Sequence, residues 1–137
     1  MKRTAVVVDD DESTRFVLSR ALAALGFTAL LADDGSEVPD LIHQHAVDLI
    51  VIDLYMPGMN GFELLRRIRA ADPGFLPRRR TASSVSVIVV SGEGAAASIA
   101  NARALGADEY LVKPIDLDCF EQSVRRLTDR GRLRDVH

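Results

Sequence analysis

The stretch DLIVID, residues 48–53, decides the fold class because it is a continuous apolar run that ends at a carboxylate. A strand that is apolar at every position is typical of a parallel sheet covered by helices on both faces. Similar runs cover residues 4–8, 85–90 and 110–112, and a weaker one covers residues 27–31. The sequence therefore predicts five strands, four of them with strong signals.

Apolar residues at helical spacing separate these strands, which predicts five helices. The first helix ends at Gly26, and the second begins near Ser36, because Pro39 is tolerated only in a first helical turn. Asn60, followed by Glu63, indicates a capped start for the third helix. Strands that alternate with helices imply an α/β fold, a flavodoxin-like doubly wound five-stranded parallel sheet in the order 2-1-3-4-5.

Carboxylates follow the first and third predicted strands. Asp9 and Asp10 end the first strand, and Asp53 ends the third. In the order 2-1-3-4-5 the carboxyl ends of these two strands meet at a switch point, where ligands bind. Because three clustered carboxylates repel each other, the site needs either raised pKa values or a cation. Oxygen ligands without a nearby thiol or imidazole favour Mg²⁺, with Mn²⁺ as its substitute.

Two further polar side chains end the fourth and fifth predicted strands. Ser91 supplies a hydroxyl donor, and Gly92 beside it leaves space for an incoming group. Lys113 is notable because the chain uses 15 Arg and only two Lys. Three carboxylates, one Mg²⁺ and the Lys113 ammonium together carry no net charge, so the pocket could accept a phosphoryl group.

Charge and composition exclude several classes of protein. The net charge of -3 lacks the basic footprint of a nucleic-acid binder, so no direct nucleic-acid binding by this chain is expected. No apolar run reaches the roughly 18 residues of a membrane span, and no signal peptide begins the chain, so we expect a cytoplasmic protein with no membrane contact. A zinc site is not expected, because the single Cys119 and the three His do not cluster; Cys119 is interpreted as a packing residue of the fifth helix.

In their order along the chain, four segments resemble the receiver domain of bacterial two-component response regulators. The resemblance is to receivers of the chemotaxis-regulator type. The segments are residues 8–10, 53–61, 90–92 and 110–114, and the resemblance spans roughly residues 3–128. The domain is therefore expected to cover residues 1–128, with residues 129–137 as a short basic tail and no output domain in this chain.

The resemblance implies a role for each matching residue. Asp53 is the expected phosphoacceptor, which receives the phosphoryl group from a phosphohistidine of a sensor histidine kinase or a histidine phosphotransfer protein. Asp10, Asp53 and the backbone carbonyl of Tyr55 are the expected Mg²⁺ ligands, with Asp9 acting through water. Lys113 and Ser91 are expected to hold the transferred oxygens. Such a domain is not an enzyme in the usual sense, because it catalyses only its own phosphorylation and dephosphorylation.

The resemblance also implies a switch. Phosphorylation is expected to draw Ser91 inward and to let Tyr110 rotate, which changes the surface formed by the fourth helix, fifth strand and fifth helix. A homodimer or a downstream protein is the expected partner there. The bond before Pro114 is expected to be cis. We further hypothesise that Tyr55 and Glu93, two residues beyond Asp53 and Ser91, tune dephosphorylation, with bulky Tyr55 slowing it.

Alternatives exist for several of these residues. The acidic run 9–12 could simply cap the first helix, Ser91 could cap the fourth, and Tyr110 could only pack. Two other functions compete with the switch. One is a haloacid-dehalogenase-like phosphohydrolase with Asp9 as nucleophile and Asp11 as acid and base, although Glu12-Ser13 departs from that motif. The other is a pseudo-receiver that is not phosphorylated and serves only as an interaction module. The segment 72–84 is expected to be a long exposed loop outside the site.

Overall fold

The computed structural model describes residues 2–70 and 85–136, with side chains up to residue 129. A five-stranded, fully parallel sheet in the order β2-β1-β3-β4-β5 forms its centre, which confirms the predicted order. The strands are β1 (Arg3–Val8), β2 (Phe27–Ala32), β3 (Leu49–Ile52), β4 (Ser86–Ser91) and β5 (Glu109–Val112). The predicted loop 72–84, with its three consecutive arginines, lies outside the described residues.

Five helices cover the sheet, as predicted. They are α1 (Glu12–Ala24), α2 (Val38–Gln44), α3 (Gly61–Arg69), α4 (Ala96–Ala104) and α5 (Leu117–Val136). Gly26 follows the end of α1 with a φ of 89°, a conformation that glycine adopts without strain. The Asn60 side chain accepts a hydrogen bond from the backbone N–H of Glu63 at 2.9 Å, so the predicted cap of α3 is formed.

Two helix boundaries differ from the prediction. A 3-10 turn over Gly35–Glu37 precedes α2, so the α-helix begins at Val38 and Pro39 falls in its first turn. The Asp34 side chain accepts from the Ser36 N–H and starts this turn. At the other end of the chain, α5 continues through most of the segment that we expected to be a tail.

The core has two halves, one on each face of the sheet, because successive strand residues point to opposite faces. Val6, Val8, Ile50 and Ile52 face α2, α3 and α4, together with Val87 of β4. Side chains of the opposite parity face α1 and α5; they include Ala5, Val7, Leu49, Val51, Ile88 and Val90. This double burial explains why the central strands are apolar throughout.

Residues of α5 divide between the core and the solvent. Phe120, Val124 and Leu127 pack against the sheet, but Leu117 is 46% exposed at the helix start. Cys119 is exposed, so its interpretation as a packing residue was wrong. It lies one position before Phe120, which turns it about 100° away from the buried row.

Arg69, at the end of α3, forms a clasp at the amino edge of the sheet. Its guanidinium donates to the carbonyl oxygens of Gly106 (2.8 Å) and Val85 (2.6 Å) and to the Asp108 carboxylate (2.8 Å). Asp108 also accepts the N–H of Val87 at 2.8 Å. The clasp therefore joins α3, the start of β4 and the turn between α4 and β5.

Candidate functional site

The register of the sheet brings the predicted site residues to one edge. Val8 pairs with Ile52, Ile52 pairs with Val89, and Ser91 pairs with Val112. The residues that follow these strands therefore leave the sheet side by side at its carboxyl end, where ligand sites of open α/β sheets form. Asp9, Asp53, Ser91 and Lys113 meet here although they are far apart in the sequence.

Asp9, Asp10 and Asp53 form an acidic cluster. Each offers a carboxylate oxygen, and these oxygens all lie within 4.8 Å of one another. Asp9 and Asp53 are 2% and 7% exposed, whereas Asp10 lies on the surface. An all-oxygen set that is open on one side matches the preference of Mg²⁺, which keeps several waters when it binds to proteins. The residues therefore fit the predicted metal.

Lys113 lies between the two buried carboxylates. Its ammonium donates to Asp9 Oδ2 at 2.8 Å and to Asp53 Oδ2 at 3.2 Å. Burial lowers the pKa of Lys113, but the hydrogen bond and charge of Asp9, with a contribution from Asp53, outweigh it, so the pKa lies above its ordinary value. Lys113 is thus a fixed cation at neutral pH. The bond between Lys113 and Pro114 is cis, as expected.

Asp9 carries an electrostatic cost despite this ion pair. Burial raises the pKa of its carboxyl above the ordinary value and outweighs the hydrogen bonds from Lys113 and from the Asp11 N–H; the Asp53 charge raises the pKa further. The folded protein therefore holds the Asp9 proton more tightly than the unfolded chain does, so ionisation of Asp9 at neutral pH costs folding stability. Binding of a cation would lower the electrostatic cost of these ionised carboxylates.

This cost predicts that Asp9→Asn stabilises the metal-free protein. At neutral pH, with EDTA present, we expect the free energy of unfolding to rise by about 1 kcal/mol, a usual gain for one stabilising substitution. The gain should vanish as the pH falls through the raised pKa of Asp9, because protonation neutralises the wild-type side chain there. Urea unfolding at several pH values measures both effects. A variant less stable than wild type at neutral pH would contradict the prediction.

Ser91, Glu93 and Tyr110 are linked through the loop that follows β4. The Ser91 hydroxyl oxygen is buried and accepts the N–H of Glu93 at 3.2 Å, while the Glu93 carbonyl accepts the Tyr110 hydroxyl at 2.5 Å. Burial raises the pKa of Tyr110, so its phenol stays protonated and donates. The Glu93 carboxylate accepts the N–H of Ala95 just before α4. One residue thus connects the site to β5 and α4.

Tyr55 stands at the entrance to the loop after β3. Its backbone N–H donates to Asp53 Oδ1 at 3.2 Å, and its side chain is 54% exposed. The ring packs edge-on against Phe62, with centroids 6.2 Å apart. This contact orients a large aromatic group two residues beyond Asp53.

The acidic run 9–12 divides between two tasks. Asp11 caps α1, because its carboxylate accepts the N–H of Ser13 and the hydroxyl of Thr14, at 3.3 and 2.6 Å. The capping alternative therefore holds for Asp11, while Asp9 and Asp10 belong to the acidic cluster. The Thr14 hydrogen bond lowers the pKa of Asp11, which opposes the acid role that a phosphohydrolase would need.

Arg15 contacts the backbone of the site, and the sequence motifs did not predict this contact. Its Nη1 donates to the backbone carbonyl of Asp9 at 2.7 Å. One signal was available: a cation in the first turns of a helix opposes the helix dipole, so its presence there calls for another reason.

Among the helices in the described ranges, none combines the length and the hydrophobicity needed to cross a bilayer.

A family model and two relatives of known name match this chain. The family model described as "Response regulator receiver domain" matches residues 5–125. Virulence sensor protein BvgS of Bordetella bronchiseptica is 37% identical over 133 residues, which cover 93% of this chain and 10% of that protein. The DNA-binding transcriptional regulator NtrC of Escherichia coli is 38% identical over 134 residues, covering 95% of this chain and 26% of that protein.

Solved structures agree with these matches. A response regulator receiver protein from Pseudomonas putida superimposes with a TM-score of 0.78 and 30% identity, over 92% of this chain and 98% of that one. The chain spans only about a tenth of the length of BvgS and a quarter of that of NtrC. With its parallel sheet, acidic cluster and matching relatives, this chain belongs to the family of response regulator receiver domains of two-component systems.

Proposed function

We propose that the chain is the phosphoacceptor switch of a two-component phosphorelay. A phosphoryl group would pass from a phosphohistidine of a sensor histidine kinase or a histidine phosphotransfer protein to Asp53. The observation that carries this proposal is the placement of the Asp53 carboxylate, nearly buried, beside two other carboxylates and within 3.2 Å of the Lys113 ammonium. Hydrogen bonds from the Tyr55 N–H and the Lys113 ammonium hold this carboxylate in position, and a small part of it remains exposed to solvent.

Asp10, Asp53 and the backbone carbonyl of Tyr55 are the proposed Mg²⁺ ligands, and Asp9 acts through a water molecule. The structural support for this set of ligands is the cluster of three carboxylates, whose oxygens lie close together. When bound, Mg²⁺ supplies positive charge that neutralises the carboxylates and the phosphoryl oxygens. Mn²⁺ prefers the same oxygen ligands and is the expected substitute.

In the proposed transfer, a carboxylate oxygen of Asp53 attacks phosphorus. The bond from phosphorus to the donor imidazole nitrogen breaks, its electron pair stays on that nitrogen, and an acyl phosphate forms on Asp53. Lys113 is already fixed as a cation beside the attacking group, and the Ser91 hydroxyl can donate to a transferred oxygen. The chain then contributes positioning and charge stabilisation, and it turns over no substrate other than itself.

The Ser91–Glu93–Tyr110 link is the proposed route of the signal. A Ser91 hydroxyl drawn toward a phosphoryl oxygen would give up its bond to the Glu93 N–H, and Glu93 in turn holds Tyr110. The surface formed by α4, β5 and α5 would change as a result, and we propose it as the contact for a second copy or a downstream protein. Val112 and Leu117 are exposed apolar side chains of β5 and α5.

The boundaries of the switch are part of the proposal. We propose that residues 1–128 form the receiver domain and residues 129–137 a basic extension. NtrC is named as a DNA-binding regulator and BvgS as a sensor protein, and each extends far beyond the matched region. We place the chain in the cytoplasm, without contact with a membrane or nucleic acid.

Labelling of the full chain tests the proposed function. Phosphoramidate, which carries the same phosphorus–nitrogen bond as phosphohistidine, and a panel of autophosphorylated histidine kinases serve as donors. With Mg²⁺ present, we expect the mass of one phosphoryl group to appear on the protein, and with EDTA we expect none. Turnover of p-nitrophenyl phosphate would instead support a phosphohydrolase. Failure of both labelling and Mg²⁺ binding would support a pseudo-receiver.

Tyr55→Ala is expected to hasten the loss of the phosphoryl group by up to about tenfold, or ~1.4 kcal/mol of activation barrier. The reason is that the exposed ring, two residues from Asp53 and braced on Phe62, would obstruct a hydrolytic water. The decay of phosphorylated protein after removal of the donor measures the rate. Tyr55→Phe keeps the ring and should decay like wild type, and an unchanged rate in Tyr55→Ala refutes the role. Glu93 is the second proposed tuning residue of this step.

A further inference from the structure

Arg15 reaches back from α1 to the strand that carries the acidic cluster. Its side chain is half-buried, and Nη1 donates to the Asp9 carbonyl oxygen at 2.7 Å. Its own backbone N–H donates to the Asp11 carbonyl at 3.1 Å within the helix. The residue therefore ties α1 to the end of β1 across the loop that holds Asp10.

The Asp9 carbonyl is where the chain leaves the sheet. The Asp9 N–H still donates to Ala32, at 3.1 Å, but the register with both neighbouring strands ends at Val8. A backbone carbonyl at such a point needs a partner from elsewhere, and the Arg15 guanidinium provides it. The Asp9 carboxylate accepts the Asp11 N–H at 2.9 Å. Residues 9–11 are thus held by bonds on both sides of Asp10.

On electrostatic grounds alone, a positive charge at position 15 is unfavourable. A positive charge near the start of a helix opposes the helix dipole, and a positive charge near a metal site repels Mg²⁺. If Arg15 acted only through its charge, its removal would strengthen Mg²⁺ binding. If it acts by holding the loop, its removal would weaken binding. The two roles predict opposite signs, which makes them separable.

We propose that Arg15 is a positioning residue for the metal site. By fixing the Asp9 carbonyl, it holds the Asp10 carboxylate in the place where it can join Asp9 and Asp53, and this benefit exceeds the repulsion of its charge. The inference rests on the proposed function, because it assumes that this cluster binds Mg²⁺. Partners that orient metal ligands commonly account for 10- to 100-fold in affinity.

Isothermal titration of the full chain with MgCl₂ tests this role. We expect Arg15→Met to bind Mg²⁺ about tenfold more weakly than wild type. Arg15→Lys keeps the charge and one donor, so it should recover part of the loss. Arg20→Met is the matched control, since Arg20 lies farther along α1 over the Phe16 ring and its loss removes the same charge; it should bind like wild type.

The outcomes separate the inference from the function on which it rests. A wild-type chain that binds no Mg²⁺ would overturn the proposed function itself. A wild-type chain that binds Mg²⁺ while Arg15→Met binds as well or better would overturn only the role of Arg15. Urea unfolding of each variant checks the fold, and if Arg15→Met is unfolded, weaker binding by folded Arg15→Lys supports the role and unchanged binding refutes it.

Discussion

Asp53→Asn is expected to abolish phosphoryl incorporation, with labelling reduced by at least about a thousandfold. The amide cannot form the acyl phosphate, because it lacks the anionic oxygen that attacks phosphorus. Its single amide oxygen can replace either Asp53 Oδ1, which accepts the Tyr55 N–H, or Oδ2, which accepts the Lys113 ammonium, each at 3.2 Å, and Lys113 keeps its 2.8 Å bond to Asp9 in both cases. The fold should therefore survive, and loss of label reports loss of the nucleophile. Labelling from phosphoramidate and from a phosphorylated kinase measures it.

Asp40→Asn is the matched control for this prediction. Asp40 is an exposed residue of the first turn of α2, and the same chemical change there should leave labelling unchanged. Thermal unfolding of both variants verifies that each is folded. A folded Asp53→Asn protein that is still labelled at the wild-type level would move the acceptor to another residue, and mapping of the label would identify it.

Gly61→Ala is expected to destabilise the protein by about 3 kcal/mol, near the upper end of ordinary overpacking effects. A Cβ at Gly61 would lie 2.4 Å from the Asp53 carbonyl oxygen and 2.7 Å from the Leu54 Cα, so it meets backbone on two sides. The Gly61 N–H also donates to the Leu54 carbonyl at 2.9 Å. Because helix α3 starts directly against the end of β3, neither partner can move without displacing Asp53. Urea unfolding measures the loss.

Gly92→Ala provides the comparison at a glycine with open surroundings. No atom lies within 4 Å of the Cβ that would be added there, and its φ is ordinary for any residue. We expect a change within about 0.5 kcal/mol, as for most surface substitutions. Equal losses of stability at both glycines would show that contact of an added Cβ with the neighbouring backbone does not explain the need for glycine at position 61.

The sheet could be predicted from sequence because its strands are buried on both faces. Residues 48–53 carry no alternation of polar and apolar side chains, and the structure places Ile50 and Val51 in opposite halves of the core. Helix starts were predictable where a side chain forms the cap, as at Asn60. The start of α2 was not, because Pro39 fits a first turn in several registers and the 3-10 turn depends on the Asp34 side chain.

The site was predictable as far as its residues follow strands. Asp9, Asp53, Ser91 and Lys113 come together because a parallel sheet places its strand ends at one edge. Contacts made by backbone atoms were not predictable, since a side-chain pattern carries no record of them. The bonds of Arg15 to the Asp9 carbonyl and of Tyr110 to the Glu93 carbonyl are of this kind.

The Arg69 clasp anchors helix α4 at one end only. Arg69 holds the Gly106 carbonyl just after the end of α4, where φ is 109° and an added Cβ would lie 2.6 Å from the Arg69 Cγ. The opposite end of α4 follows Glu93, beside the site. The nine residues of α4 span about 13 Å, so a displacement at Glu93 would move the amino end of the helix while Arg69 holds the turn at its carboxyl end. A partner at the proposed α4-β5-α5 surface would then contact a helix with a changed orientation.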